Sequence, residues 1–557
     1  MNRETNALPA RDDRITAPLR YPVYRRIWLA SLLSNLGLLI QSVGAAWAMI
    51  ELASSAAMVA LVQTALMLPV MLLAIPAGAA ADMYDRRLVI ISALLLSFGG
   101  ASLLSALTLL GLVTPSLLLL LTFLIGSGMA LYGPAWQASV SEQVPTEVLP
   151  SAIALNSISF SIARSFGPAI GGIVVAAAGA VAAFLANAIL YLPLLAVLMR
   201  WKRVQEPPRL PPERIERAII SGLRYILHSP PIRTVLARTF LTGVAGASIS
   251  SLMPLVARDL LGGGAQTYGV MLGMFGMGAV AGALNIAAIR RRLSSEKTIR
   301  LTALLMSLAI CVIGLSGSAL LTAAALLVAG AGWMVAVTIF NIGIQLAIPR
   351  WVAGRALAGF QAAMAGGIAF GSWLWGHFAT EWSVGTALLV SGAAMAILPV
   401  LGLWMPVPEG ETSAEDALED RADPEVNLKL TARSGPIVIE VEYCVAPDDA
   451  RAFYGVMQQV QRMRQRNGGY AWSLARDIAR PDIWTERFHC PTWLDYLRQR
   501  GRATEAERML EREAESYHRG GGPLPVRRML ERPLGSVRWK EETPDRDATK
   551  LTPPAGI

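Results

Sequence analysis

Between Trp28 and residue 405 the chain is a near-continuous series of apolar stretches, each about as long as the ~20 residues a helix needs to cross a hydrocarbon layer. The stretches lie near 28–50, 58–81, 88–112, 116–138, 149–177 and 180–199, and resume near 233–256, 267–289, 299–315, 319–346, 355–379 and 384–405. In lipid every backbone N–H and C=O must be paired within the segment, so stretches of this length read as membrane helices. The fold expected is therefore an all-α polytopic membrane protein with twelve transmembrane helices in two six-helix halves. Only 16% of the 557 residues are charged, where a soluble chain carries about a quarter. The deficit is confined to this region, and the last stretch of chain has ordinary soluble composition.

The basic residues set an orientation. Six arginines precede Trp28, eight basic residues lie between Arg200 and Arg233, and Arg86, Arg87, Arg290, Arg291, Arg292, Lys297, Arg300, Arg350 and Arg355 occupy further loops on the same side. The opposite loops hold Arg258. The positive-inside rule then predicts a multi-pass protein of the bacterial inner membrane with both termini in the cytoplasm. The net charge of +9 thus reports topology and gives no reason to expect a nucleic-acid partner. Cys311, Cys444 and Cys490 form no spaced cluster, so neither a disulfide framework nor a metal site is expected, and no cofactor. The first apolar stretch is longer than a signal-peptide core and has no cleavage site.

The domain boundaries follow. Residues 1–27 are an N-terminal tail and 28–199 the first six-helix half. Residues 200–232 are a basic linker in which Ile215, Ile219, Leu223 and Ile226 recur at helical spacing, an amphipathic helix for the membrane face or the underside of the bundle. Residues 233–405 are the second half, 406–435 a Pro- and acid-rich linker, 436–532 a soluble domain and 533–557 a disordered tail. Within 436–532 an alternating strand at Ile437–Tyr443 is followed by a helix at Pro447–Arg466 and strands at Tyr470–Leu474 and Ile483–His489. Helices at Pro491–Gln499 and Thr504–Tyr517 and a short strand at Val526–Leu530 complete a βαββαβ order, which is ferredoxin-like.

Three motifs stand out. Between the second and third spans Gly78, Asp82, Arg86 and Arg87 combine a close-packing glycine, an acceptor for a neighbouring helix end and a basic anchor, the parts of a conformational latch. The fifth span carries Arg164, Gly167, Pro168, Gly171 and Gly172, where proline removes a backbone bond and the glycines admit a neighbour. Gly133-Pro134-Ala135-Trp136 precedes Val144-Pro145 and Ala154-Leu155-Asn156. Together these resemble the major facilitator superfamily, and within it the enterobactin-exporter-like, or transmembrane secretion effector, branch. The sequence departs from the superfamily pattern at Asp85 and Ala163, each in place of glycine. The segment 436–532 resembles the dimeric α+β-barrel group that includes antibiotic-biosynthesis monooxygenases, on residues such as Trp493, Gln499, Arg502 and Thr504.

The resemblance implies two pseudo-symmetric halves around a central cavity opened to one side at a time. It implies spans 1, 4, 7 and 10 as the cavity wall, which makes Asn35, Gln41, Tyr132, Trp136, Asn341 and Gln345 candidate substrate contacts, although for each taken singly a contact between helices is the favoured reading. Arg164 lies deep in an apolar span, where a cation is paired or serves an anion. Few carboxylates accompany it: Glu51, Glu142 and Glu381 sit at span ends, and no proton site is evident. His377 is a titratable side chain near a span end. The function expected is secondary active transport, proton-coupled export of a small amphipathic molecule such as a siderophore or drug-like metabolite, with homodimerisation through the C-terminal domain. An importer on the same fold, or a membrane-anchored enzyme or sensor acting through that domain, are the alternatives. No catalytic residues are assigned.

Overall fold

The structure, a computed structural model, describes residues 15–53, 55–201, 215–349, 352–407, 424, 426–501 and 504–531. Residues 1–14 of the expected 1–27 tail, the expected tail at 533–557, most of the acid-rich linker, residues 202–214 of the basic linker and Arg502 lie outside the described residues. The chain divides into two compact units: one within 1–219, 234–344 and 354–409, the other within 220–233, 345–353 and 410–557.

The first unit is helical. Its helices are α1 (Pro22–Leu52), α2 (Ala56–Met83), α3 (Arg86–Leu109), α4 (Pro115–Ser139) and α5 (Leu149–Arg200). After α6 (Ile215–Leu227) follow α7 (Pro230–Leu255), α8 (Ala265–Arg292), α9 (Ser295–Leu315), α10 (Ala319–Ala347), α11 (Ala353–Glu381) and α12 (Val384–Trp404). Among the described residues eleven helices are long and apolar enough to cross a membrane. The difference from the twelve spans read in the sequence lies in α5. Its 52 residues would extend about 78 Å at 1.5 Å per residue, more than twice a hydrocarbon layer. Gly179 breaks it with φ 76° and ψ 174°, a backbone that only glycine adopts without strain. The backbone leaves helical geometry there, so α5 is two helical arms that meet at Gly179, where the sequence reading divides the spans 149–177 and 180–199.

Helix ends are fixed by short polar caps: Asp85 accepts from the Arg87 amide at 2.9 Å, and Thr114, Ser294 and Ser383 do the same for α4, α9 and α12. Between helices, apolar burial adds little once lipid is the solvent, so close backbone approach decides the pairing. Gly171 on the part of α5 before Gly179 meets Ile40 of α1, and Gly126 of α4 meets the Leu66 carbonyl of α2. Six helices on, Gly371 of α11 meets Val244 of α7, and Gly282 of α8 meets Ala331 of α10. Glycine-mediated pairs thus recur at corresponding places in the two halves.

The second unit contains β1 (Ile437–Cys444), α13 (Ala450–Arg466), β2 (Tyr470–Arg476), β3 (Ile483–Cys490), α14 (Trp493–Gly501), α15 (Glu505–Ser516) and β4 (Val526–Leu530). The sheet is antiparallel in the order β2-β3-β1-β4, with Ile437 opposite both Cys490 and Leu530. Ile439, Val441 and Tyr443 alternate inward from β1 onto Phe453, Val456, Met457 and Val460, which lie on one face of α13. A capping box between Thr504 and Glu507 starts α15. Residues 220–232, read as linker, and 233 and 345–353, read as part of the second half, cluster with this unit.

Candidate functional site

The span-5 motif lies where α5 meets two helices. Gly167 and Gly171 face α1: a Cβ would stand 2.8 Å from Leu39 Cβ at the first and 3.0 Å from Ile40 Cα at the second. Gly172 faces α8 instead, 2.9 Å from Gly269 Cα by the same measure, and a Cβ on Gly276 would stand 2.7 Å from the Arg164 carbonyl. The α5–α8 seam thus joins the two halves at backbone contact. Its counterpart joins α2 to α11. Thr380 Oγ1 accepts from the Ala57 amide at 2.8 Å, Thr64 donates to the Ala369 carbonyl at 2.8 Å, and a Cβ on Gly376 would lie 2.5 Å from Ala60 Cβ. Gly78 of the latch motif ends this seam, 3.7 Å from Ala358 by the same measure.

Arg164 is half-buried, with its guanidinium 5.5 Å from the centre of the Phe275 ring on α8. Among the described residues no carboxylate is paired with it. A cation held by an aromatic face keeps its charge available to a second, anionic partner.

The arginines of the latch motif act within the first half. Arg86 bridges to Glu142, just beyond the end of α4, at 2.8 Å and donates to the Ala138 carbonyl in the last turn of α4 at 3.0 Å. Arg87 donates to the carbonyls of Leu198 at 2.8 Å and Met199 at 2.6 Å, which are orphan acceptors at the end of α5. Asp85, which stands where the superfamily pattern has glycine, caps α3. The Asp82 side chain lies outside the described residues.

Sequence reading missed the matching device in the second half. Arg238, 4% exposed, meets Glu296 at 2.5 and 3.2 Å and donates to the Met405 carbonyl at 3.1 Å. Glu296 also accepts from Arg300 at 3.0 Å and from the Val407 amide at 3.3 Å. As in the first half, a charge cluster ties the third helix of the half (α9) to the end of the sixth (α12). The available signal was Arg238, a lone cation inside an apolar span, with one acid in the basic 290–300 loop.

The proposed cavity residues are divided. Tyr132 and Trp136 stack at 5.3 Å and are half-buried, as are Asn35 and Asn341. Gln41 is buried and accepts from Asn187 on the second arm of α5, a polar bond between helices. Gln345 is exposed on the last turn of α10 and clusters with the other unit. His377 stacks on Trp373 at 6.5 Å.

The family model described as transmembrane secretion effector matches residues 14–534. The chain belongs to this family, a branch of the major facilitator superfamily. This transmembrane secretion effector is a multi-pass membrane transporter and not an enzyme. It is similar to a staphyloferrin A transporter of Staphylococcus aureus, 25% identical over 50% of this chain and 71% of that protein. It is also similar to the multidrug efflux pump Tap of Mycolicibacterium fortuitum, 25% identical over 68% of this chain and 95% of that one. Among solved structures, the nucleoside transporter NupG matches with a TM-score of 0.56 at 11% identity, over 69% of this chain and 100% of that one. A D-xylose-proton symporter matches with a TM-score of 0.56 at 14% identity, over 69% and 98%. At these identities the likeness concerns the fold.

Proposed function

We propose that this protein exports a small amphipathic molecule across the bacterial inner membrane by alternating access, with the proton gradient as the driving force and both termini in the cytoplasm. The observation that carries the reading is the pair of glycine seams, α5–α8 and α2–α11, where two internally clamped halves meet with glycines at the points of closest approach. Halves joined in this way can rock as bodies, because sliding one smooth backbone surface over another breaks few contacts. Counting the two arms of α5 separately, the chain crosses the membrane twelve times. The names of the relatives, a siderophore transporter and an efflux pump, favour outward transport of a compound of that kind.

Arg164 and the Tyr132–Trp136 stack are the parts we assign to the substrate: a cation for an acidic group and an aromatic face for an apolar one. The C-terminal domain, read as ferredoxin-like, serves regulation and self-association. The test is uptake into inverted membrane vesicles, with a panel of siderophores and dyes. Intact protein should accumulate an acidic amphipathic compound, lose it on addition of a protonophore, and lose at least ~90% of the rate in Arg164→Ala, since a cation deep in a membrane is retained for a specific partner. Accumulation only in right-side-out vesicles would make the protein an importer. Unchanged uptake in Arg164→Ala would remove that residue from the mechanism.

A further inference from the structure

The C-terminal domain holds a cavity of about 280 Å³ between its sheet and its helices. Packed interiors of small domains hold few voids larger than a water molecule, and small-molecule sites begin at roughly 300 Å³. On the sheet side Ile439 and Val441 of β1 and Phe488 of β3 give its lining an apolar part. The polar groups in its wall are not all satisfied. Gln499 of α14 is 6% exposed, and its Oε1 accepts from the Cys490 thiol at 3.1 Å. Burial pushes that thiol up to about 12, so it stays protonated and keeps donating. The amide is thereby fixed with Nε2 turned away from Cys490, and Nε2, buried, meets no acceptor among the described residues. A buried donor without a partner is a cost that folded chains avoid unless something else fills the place.

The cavity favours an anion. Four arginines and three glutamates line it. Glu511 is occupied by Arg464 at 2.7 Å, and Glu507 by Arg466, Asn467 and the Thr504 amide. Arg464 is held over Phe488 at 4.8 Å. Although burial opposes its charge, the carboxylates of Glu486 and Glu511 keep its guanidinium above the usual value.

One wall leads out of the domain. Asn467 and Glu507 line the cavity, and Asn467 donates to Glu507 at 3.0 Å. Glu507 pairs with Arg466, and the Arg466 guanidinium lies 5.4 Å over the ring of Tyr225. Tyr225, 3% exposed, belongs to α6, in the segment that joins the two six-helix halves.

We propose that this cavity is a ligand site for a flat apolar molecule bearing a carboxylate, whose oxygen accepts from Gln499 Nε2, and that occupancy is passed through Asn467, Glu507 and Arg466 to Tyr225. The site is distinct from the transport path and stands whether or not the transported compound is the one it binds. It makes the C-terminal domain a sensor acting on the segment between the halves.

The experiment uses the full chain in lipid nanodiscs and 2-naphthoate as probe, with naphthalene as the acceptor-free control. Calorimetry should show saturable binding of 2-naphthoate, binding roughly tenfold weaker in Gln499→Leu, as expected for loss of a hydrogen bond to a charged acceptor, and none in Val441→Trp, which fills the cavity. Naphthalene should bind intact protein and Gln499→Leu alike. Hydrogen exchange on the unaltered protein gives a readout that does not depend on the variants folding: 2-naphthoate should slow exchange in 220–227, 463–468 and 496–511. Equal affinity in all three proteins, absence of binding, or protection confined to the membrane helices would overturn the site. Protection of 463–468 and 496–511 without 220–227 would overturn the transmission to Tyr225.

Discussion

At the residue scale, charges carry most of the information. Arg238 and Glu296 are both largely shielded, and each is bonded to more than one partner. Removing one member of such a pair leaves the other charge uncompensated, which costs about 3 kcal/mol or more. Arg238→Ala should therefore lower the melting temperature of the purified transporter by several degrees. The double change Arg238→Met with Glu296→Leu should restore most of it, since it removes both charges together. A melting curve for each variant decides this; equal losses in the single and double variants would deny the pair its role. Arg164 is the contrasting case. Its guanidinium lies over an aromatic face, so its substitution is expected to reach transport before stability. The sequence showed Arg164 as a charge out of place. Arg238 was not singled out in the same way, and its partner lies 58 positions away, beyond any local pattern.

At the element scale, glycines decide which helices touch. The α5–α8 seam needs Gly172 and Gly269 at mutual contact, and no side chain fits there without displacing backbone. Gly269→Leu should still insert into the membrane, because insertion is set by the apolarity of the span. It should lose transport by a factor of at least ~10, because the seam can no longer close. Vesicle uptake beside a cysteine-labelling map of the loops checks both halves of that statement, and full uptake in Gly269→Leu would show that the seam is not a moving contact. The fifth span's motif was legible as a packing signal because Gly-Pro and Gly-Gly are rare in an ordinary soluble helix. Which of its glycines faces α1 and which faces α8 was not legible, since a 3.6-residue period gives directions around a helix and not the identity of the neighbour. The break at Gly179 was legible in place: the sequence suggests a turn after 177, and the structure shows it made by the positive φ of a single glycine between two helical arms.

At the scale of the whole molecule, the chain combines a membrane transporter with a small α+β domain. The family model extends over both, to residue 534, so the domain is part of the family's pattern. If the domain regulates, a chain ended after Glu409 should keep transport within about twofold of the intact protein while losing any response to 2-naphthoate. Ending there preserves Met405 and Val407, which the Arg238–Glu296 cluster requires. Complete loss of transport with normal membrane insertion would instead place the domain inside the transport cycle. Uptake rates of the two forms, normalised to protein in the vesicles, make the comparison.

The sequence by itself determined that this protein lives in a membrane, how its helices are spaced along the chain, and which family it belongs to. These follow from local quantities: span length against bilayer thickness, the placement of Lys and Arg, and motifs of adjacent residues. It also determined the order of strands and helices in the C-terminal domain, through period-two and helical alternation. The tertiary structure alone decided that Arg87 caps the end of α5, that Arg238 finds Glu296, that Gln41 bonds Asn187, and that Gln499 faces a cavity with an unmet donor. Each of these joins residues far apart in sequence, and a hydrogen bond or ion pair depends on ångström distances that only the packed chain sets.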